Sequence, residues 1–299
     1  MSLDVLAIAA HPDDVEQTCG GTLIRMAEAG YKTGVLDLTA GDMGTRGTPE
    51  ERIAESEAAG KHLRLQFRGN LRMPDARLEN NIAARMTLAA KIRELQPRVV
   101  ILPYWEGRHP DHYRCCELGY EACFLSGLEK LDPYTEPHRP FKILYSGLYT
   151  NIKPSFVVDI SAQFERRMSA LLSYTSQYGA GDAGSDLFPQ EQEIRERLAA
   201  IARFYGNLIG VRYGEPFIVK EAMEIADIVA LPVRSPASES TVCLSTKTFG
   251  CRKTLASSNP TSSRSPSSTP RIFLISLGKV ICPCRRILTR GIVFSIFPR

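Results

Sequence analysis

Val5-Leu6-Ala7-Ile8-Ala9-Ala10-His11-Pro12-Asp13-Asp14 is an apolar run that ends in one imidazole and two carboxylates. Five apolar residues bounded by a proline turn read as a buried strand handing over to a helix. In an open α/β sheet ligands bind in the crevice beyond the carboxyl ends of the strands, so these polar groups are placed for chemistry. Imidazole nitrogen and carboxylate oxygen both suit Zn²⁺, yet two donors do not close a tetrahedral site. A second source lies about a hundred residues on, where Val99 to Leu102 leads into Arg108-His109-Pro110-Asp111-His112. Either segment alone could be a proline turn with an aspartate cap. Together they hold three of the five histidines of the chain, which argues against two unrelated turns.

Around these segments strands and helices alternate. Strands are predicted at Val5 to Ala9, Thr33 to Leu38, Phe67 to Leu71, Val99 to Leu102, Ile143 to Tyr149, Phe156 to Ile160 and Pro216 to Val219. Helices are predicted at Asp14 to Ala29, Pro49 to Leu65, Asn80 to Leu95, Asp111 to Leu125, Phe164 to Tyr174 and Gln190 to Leu208. The pair Gly20-Gly21 inside the first helix implies close packing against a neighbour. In the third, Ile82, Met86, Ala89, Ala90 and Ile92 mark the expected buried face. The alternation predicts an α/β fold: a Rossmann-like, doubly wound, largely parallel sheet with helices on both faces.

The net charge of +4 averages two unlike parts. Residues 235–299 hold ten basic residues and one acid, a balance of +9, and the remaining 234 residues carry −5. An acidic body argues against nucleic acid as the partner of the folded domain. The expected organisation is a catalytic domain over 1–234 and a basic, Ser/Pro/Cys-rich tail over 235–299. That tail is expected to be disordered, binding a membrane surface or nucleic acid, or not native-like, as a shifted reading frame would be. Met1-Ser2-Leu3-Asp4 leads straight into the first apolar run, and no run approaches the ~20 apolar residues of a membrane span, so a cytoplasmic protein is expected. Cys19, Cys115, Cys116 and Cys123 fall on predicted helices and read as small reduced core residues. A Gly-x-Gly-x-x-Gly phosphate loop is missing from the first turn, which speaks against a dinucleotide-binding module.

The two motifs, with Leu38-Thr39-Ala40-Gly41-Asp42, Gly47-Thr48-Pro49-Glu50-Glu51-Arg52 with Glu55, Asn70-Leu71-Arg72-Met73-Pro74-Asp75, Ser176-Gln177-Tyr178 and Gly214-Glu215-Pro216-Phe217, resemble the LmbE-like, or PIG-L, zinc-dependent N-acetylglucosaminyl deacetylases. The resemblance covers about residues 3 to 232 and is closest to the bacillithiol-biosynthesis deacetylases. It implies that His11, Asp14 and His112 hold one Zn²⁺, or another divalent metal such as Fe²⁺, with one position open for water. It also supplies what spacing leaves undecided, that Asp14 is the ligand and Asp13 the general base. His109 would stabilise the oxyanion or protonate the amine, with Asp111 orienting its ring and keeping it charged. Arg52 would bind substrate, with an i, i+3 pair to Glu55 as the alternative, and Arg108 is a second candidate for that duty. The implied substrate is an acetamido sugar, N-acetylglucosaminyl malate in the first instance, and the implied assembly is a homo-oligomer, a hexamer in relatives. Tyr174 departs from the pattern, standing where many relatives have a histidine.

Overall fold

Every residue of the first apolar run is buried, because β1 (Val5–Ala9) is covered on both faces. Val5, Ala7 and Ala9 join one core with Leu23, Ile24, Leu63, Phe164 and Leu198, whereas Leu6, Ile8 and Ala10 join a second with Leu88, Ile92, Cys115 and Leu118. The period-2 alternation of one strand therefore feeds two helical layers. The computed structural model describes residues 2–147, 152–179 and 189–233, all within one compact unit, Met1–Pro236. The expectations for 235–299, and for the end of the strand ending at Tyr149, lie outside the described residues.

The other strands are β2 (Thr33–Thr39), β3 (Phe67–Met73), β4 (Val99–Pro103), β5 (Lys142–Ser146), β6 (Phe156–Asp159) and β7 (Gly214–Ile218). The helices are α1 (Asp14–Thr18), α2 (Gly20–Glu28), α3 (Pro49–Leu63), α4 (Ile82–Leu95), α5 (Pro110–Ser126), α6 (Phe164–Leu171), α7 (Thr175–Tyr178) and α8 (Glu191–Asn207). Sheet order is β3-β2-β1-β4-β5-β7-β6, parallel from β3 to β5, with β7 antiparallel to both its neighbours. The chain steps outward from β1 to β3 on one side and from β4 to β5 on the other. The topological switch point lies between β1 and β4, the two strands that end in the histidine motifs.

Two expectations are corrected. The helix expected over 14–29 breaks at Cys19 (φ −136°, ψ 14°) into α1 and α2. Arg167 donates to the carbonyls of Glu16 and Gln17 at the end of α1, at 2.8 and 2.5 Å. Glu215 accepts from the Gly21 and Thr22 amides at the start of α2, at 2.9 and 2.7 Å. Both helix ends meet a side chain of opposite polarity, which makes the break stable. A Cβ on Gly21 would lie 2.9 Å from Glu215 Oε1 and from Ile160 Cβ, the close packing that the glycine pair implied. In α4 the buried face is Leu88, Ala89, Ile92, Arg93 and Leu95, and Ile82, Met86 and Ala90 are exposed. Arg93 tolerates burial because it donates to carbonyls of Ser126, Leu128, Asp132 and Thr135.

The four cysteines Cys19, Cys115, Cys116 and Cys123 are free thiols in the core. Among the described residues no helix is long and apolar enough to cross a membrane.

Candidate active site

The turn after β1 is folded back on itself. The Asp14 carboxylate accepts from the His11 amide (2.9 Å), and the Ala10 carbonyl accepts from the Thr39 amide and hydroxyl (2.9 Å each). Asp13, the residue before α1, takes φ 99°, a conformation that costs a non-glycine residue on the order of 1–3 kcal/mol. Its surroundings hold it there. Tyr178 donates to Asp13 Oδ2 at 2.7 Å, and Arg52 lies 3.7 Å from Oδ1. Arg52 also donates to the Pro12 carbonyl (2.6 Å) and the Gly41 carbonyl (3.3 Å), tying the turn after β1 to the loop after β2. Gly41 (φ +69°) is required at that contact, since a Cβ there would collide with the guanidinium.

The second motif opens α5. Pro110 occupies the first turn and His109 caps the helix, its Nδ1 accepting from the Asp111 amide at 3.2 Å. This contact puts the proton of the neutral ring on Nε2. Here the expectation for Asp111 is corrected: its carboxylate is not paired with the His109 ring. Oδ2 accepts from the Ala76 amide (2.8 Å) and lies 3.5 Å from His11 Nε2, while Oδ1 accepts from the Leu78 amide (3.3 Å). The buried Ala76 and Leu78 amides claim the Asp111 carboxylate.

The metal candidates meet. Asp14 lies between His11 Nδ1 (3.4 Å) and His112 Nε2 (3.1 Å). The rings of His11, His109 and His112 have centroids 4.7 to 5.4 Å apart. Asp75, which the sequence reading did not select, lies 3.1 Å from His11 Nε2 and accepts from the Met43 amide at 2.8 Å. Burial pushes the Asp14 carboxyl up, but the His112 and His11 imidazoles outweigh it and hold the carboxyl well below the usual range. His11 is itself raised against its burial by Asp111, Asp14 and Asp75. Burial pushes Asp13 up to about 6, opposed by the Arg52 charge and the Tyr178 hydrogen bond. His109 is lowered by burial and by the two neighbouring imidazoles. The donor atoms of His11, His109 and His112, and those of His11, Asp75 and Asp111, lie within 4.8 Å of one another, and such mixed nitrogen and oxygen donors fit a borderline divalent ion such as zinc or ferrous iron.

The substrate-binding expectations fare differently. Arg52 is 5% exposed and donates to the Pro12 and Gly41 carbonyls, which ties the two loops together. Its alternative partner Glu55 instead accepts from Ser176 and Thr175. Arg108 is exposed on the loop before α5. Tyr174 is fully buried beneath α1, accepting from Arg68 at 2.8 Å. Tyr178 and Asp75 were the residues that sequence reasoning missed as site members. Both lie in segments that carried the family resemblance, and that was their only signal.

Comparison with known proteins shows the family. A family model described as GlcNAc-PI de-N-acetylase (PIG-L) matches residues 6–123, which span both motifs. A diacetylchitobiose deacetylase of Thermococcus kodakarensis is 32% identical over 235 residues, covering 71% of this chain and 80% of the relative. The crystal structure of a conserved protein of Thermus thermophilus superposes with a TM-score of 0.69 at 39% identity, over 78% of this chain and 100% of that one. An N,N'-diacetylchitobiose deacetylase of Pyrococcus horikoshii superposes with a TM-score of 0.64 at 30% identity, over 72% and 82%. With its mostly parallel sheet and its two histidine motifs meeting at the switch point, the chain belongs to the PIG-L, or LmbE-like, deacetylase family.

Proposed function

We propose that this protein is a metal-dependent hydrolase that removes the N-acetyl group of a GlcNAc-type glycoside, yielding acetate and a free glucosamine amine. One observation carries the reading. Adjacent carboxylates have been given different company: Asp14 is paired with two imidazoles, whereas Asp13 is paired with a phenol and a guanidinium. That division supports reading Asp14 as the ligand and Asp13 as the base, the choice that spacing left open.

His11, Asp14 and His112 would hold the metal, which when bound supplies positive charge to polarise the acetamide carbonyl and to acidify the attacking water. Asp13 accepts the proton of that water and returns it to the departing amine. Tyr178 and Arg52 hold its two oxygens in place meanwhile. His109 donates from Nε2 to the carbonyl oxygen as negative charge builds there, its Nδ1 being occupied by the Asp111 amide. In the balance, the C–N bond breaks, a C–O bond to water forms, and one proton passes through Asp13.

For the aglycone we carry two readings. The bacillithiol-type motifs favour N-acetylglucosaminyl malate. The archaeal relative that acts on diacetylchitobiose favours a disaccharide. Free-amine release is to be measured on both substrates, for wild type and His112→Ala, after chelation and after zinc or ferrous iron is restored. Activity confined to metal-loaded wild type, with metal lost from the variant, is the expected result. Hydrolysis that survives chelation would overturn the metal-dependent mechanism.

A further inference from the structure

The start of α3 serves Asp13 twice. Arg52 reaches the turn after β1 directly, donating to the Pro12 carbonyl (2.6 Å) and lying 3.7 Å from Asp13 Oδ1. Glu55, one helical turn further along α3, turns instead to α7. Its Oε1 accepts from the Ser176 amide (2.7 Å) and the Thr175 hydroxyl (2.9 Å), and its Oε2 accepts from the Ser176 hydroxyl (2.7 Å). α7 ends at Tyr178, whose hydroxyl donates to Asp13 Oδ2 at 2.7 Å. Both oxygens of Asp13 are therefore held from one helix, Oδ1 by Arg52 itself and Oδ2 by way of α7.

Given the deacetylase reading above, on which this inference rests, we propose that Glu55 is a positioning residue for the general base and acts through Tyr178. The first amides of a helix have no carbonyl partner within it, and a carboxylate is a strong acceptor for one of them. A helix of a single turn has little stability of its own, so contacts from elsewhere decide where α7 sits. Gln177 supplies the other tie: its Nε2 donates to the Arg46 carbonyl (2.8 Å), and its carbonyl accepts from the Arg46 guanidinium (3.3 Å). Both ties lead to the start of α3 and the loop before it. Hydrogen bonds weaken steeply as the donor turns away, so a shift at Ser176 is felt two residues on, at the Tyr178 hydroxyl. Arg52 keeps its own contacts when α7 shifts, which confines the effect to Oδ2.

The test is kcat and KM from free-amine release on both substrates, using the zinc-loaded full chain as wild type, Glu55→Ala, Tyr178→Phe and the double variant. Glu55→Ala should lower kcat about tenfold with KM unchanged, the size expected of Tyr178→Phe. The double variant should fall no further than either single one, because the two residues act as a unit. Glu55→Gln, which keeps an acceptor for the Ser176 amide, should recover most of the loss. A second readout does not need turnover. With fluorotyrosine in place of tyrosine, the Tyr178 fluorine resonance, assigned by its loss in Tyr178→Phe, should move in Glu55→Ala and return in Glu55→Gln. Losses that multiply in the double variant, or a Tyr178 resonance unmoved by Glu55→Ala, would overturn the proposal. A rise in KM alone would do the same, since Glu55 would then serve substrate binding. If Glu55→Ala does not fold, Ser176→Ala, which removes the Oε2 contact, takes its place in both measurements. If wild type hydrolyses neither substrate, the deacetylase reading falls, and the fluorine resonance alone decides whether Glu55 holds Tyr178 in place.

Discussion

Asp13 and His109 leave neighbouring strands and face the same metal candidates, yet the fold holds them in opposite ways. Asp13 is 8% exposed, sits at φ 99°, and has a hydroxyl on one oxygen and a guanidinium beside the other. His109 is exposed and is fixed by one hydrogen bond from the first turn of its own helix. The difference follows from topology. The turn after β1 is held by α3 through Arg52 and by α7 through Tyr178, whereas His109 stands exposed just before α5. On the proposed mechanism, a base that must shuttle a proton without moving is locked in, while a donor that must meet an arriving oxygen is left open.

The largest way to test this contrast is Asp13→Asn, which should retain metal and lose about 10²–10⁴ in kcat. Metal content measured beside single-turnover rates separates the two properties, and near wild-type turnover would remove Asp13 from the base role. Next comes Arg52→Met, which leaves a buried carboxylate and two carbonyls without their donor. Urea unfolding should report a loss of about 3–5 kcal/mol. A change below about 1 kcal/mol, as for an exposed pair, would mean that the clamp is not tight. His109→Ala should lower kcat by about 10²–10³ with little change in Tm, because the side chain is exposed. A fall in stability that matched the fall in rate would make His109 structural instead. Tyr178→Phe is the smallest: about tenfold in kcat, or ~1.4 kcal/mol, with KM unchanged. If KM rose alone, Tyr178 would be touching substrate and not the base.

Much of the fold was legible because a sheet covered on both faces writes itself as short, wholly apolar runs. Val5–Ala9 and Val99–Pro103 stand almost where their sequence put them. The faces of the helices were less legible. In α4 the apolar spacing pointed to Ile82 and Met86, but burial followed Arg93, whose charge is satisfied by carbonyls more than 30 residues away. The break at Cys19 was hidden for the same reason, since Arg167 and Glu215, which stabilise it, come from α6 and β7.

The sequence by itself determined the two strand-end motifs, and so the placement of His11, Asp13, Asp14, His109 and His112 at the carboxyl ends of parallel strands. Those are local facts, carried by residue type and period. Only the tertiary structure decided that Asp111 turns to His11 and the Ala76 and Leu78 amides, that Arg52 is a clamp, and that Asp75 and Tyr178 complete the site. Each depends on a contact across at least 33 residues of chain, and a polar side chain takes whichever buried partner the packing offers, which spacing does not encode.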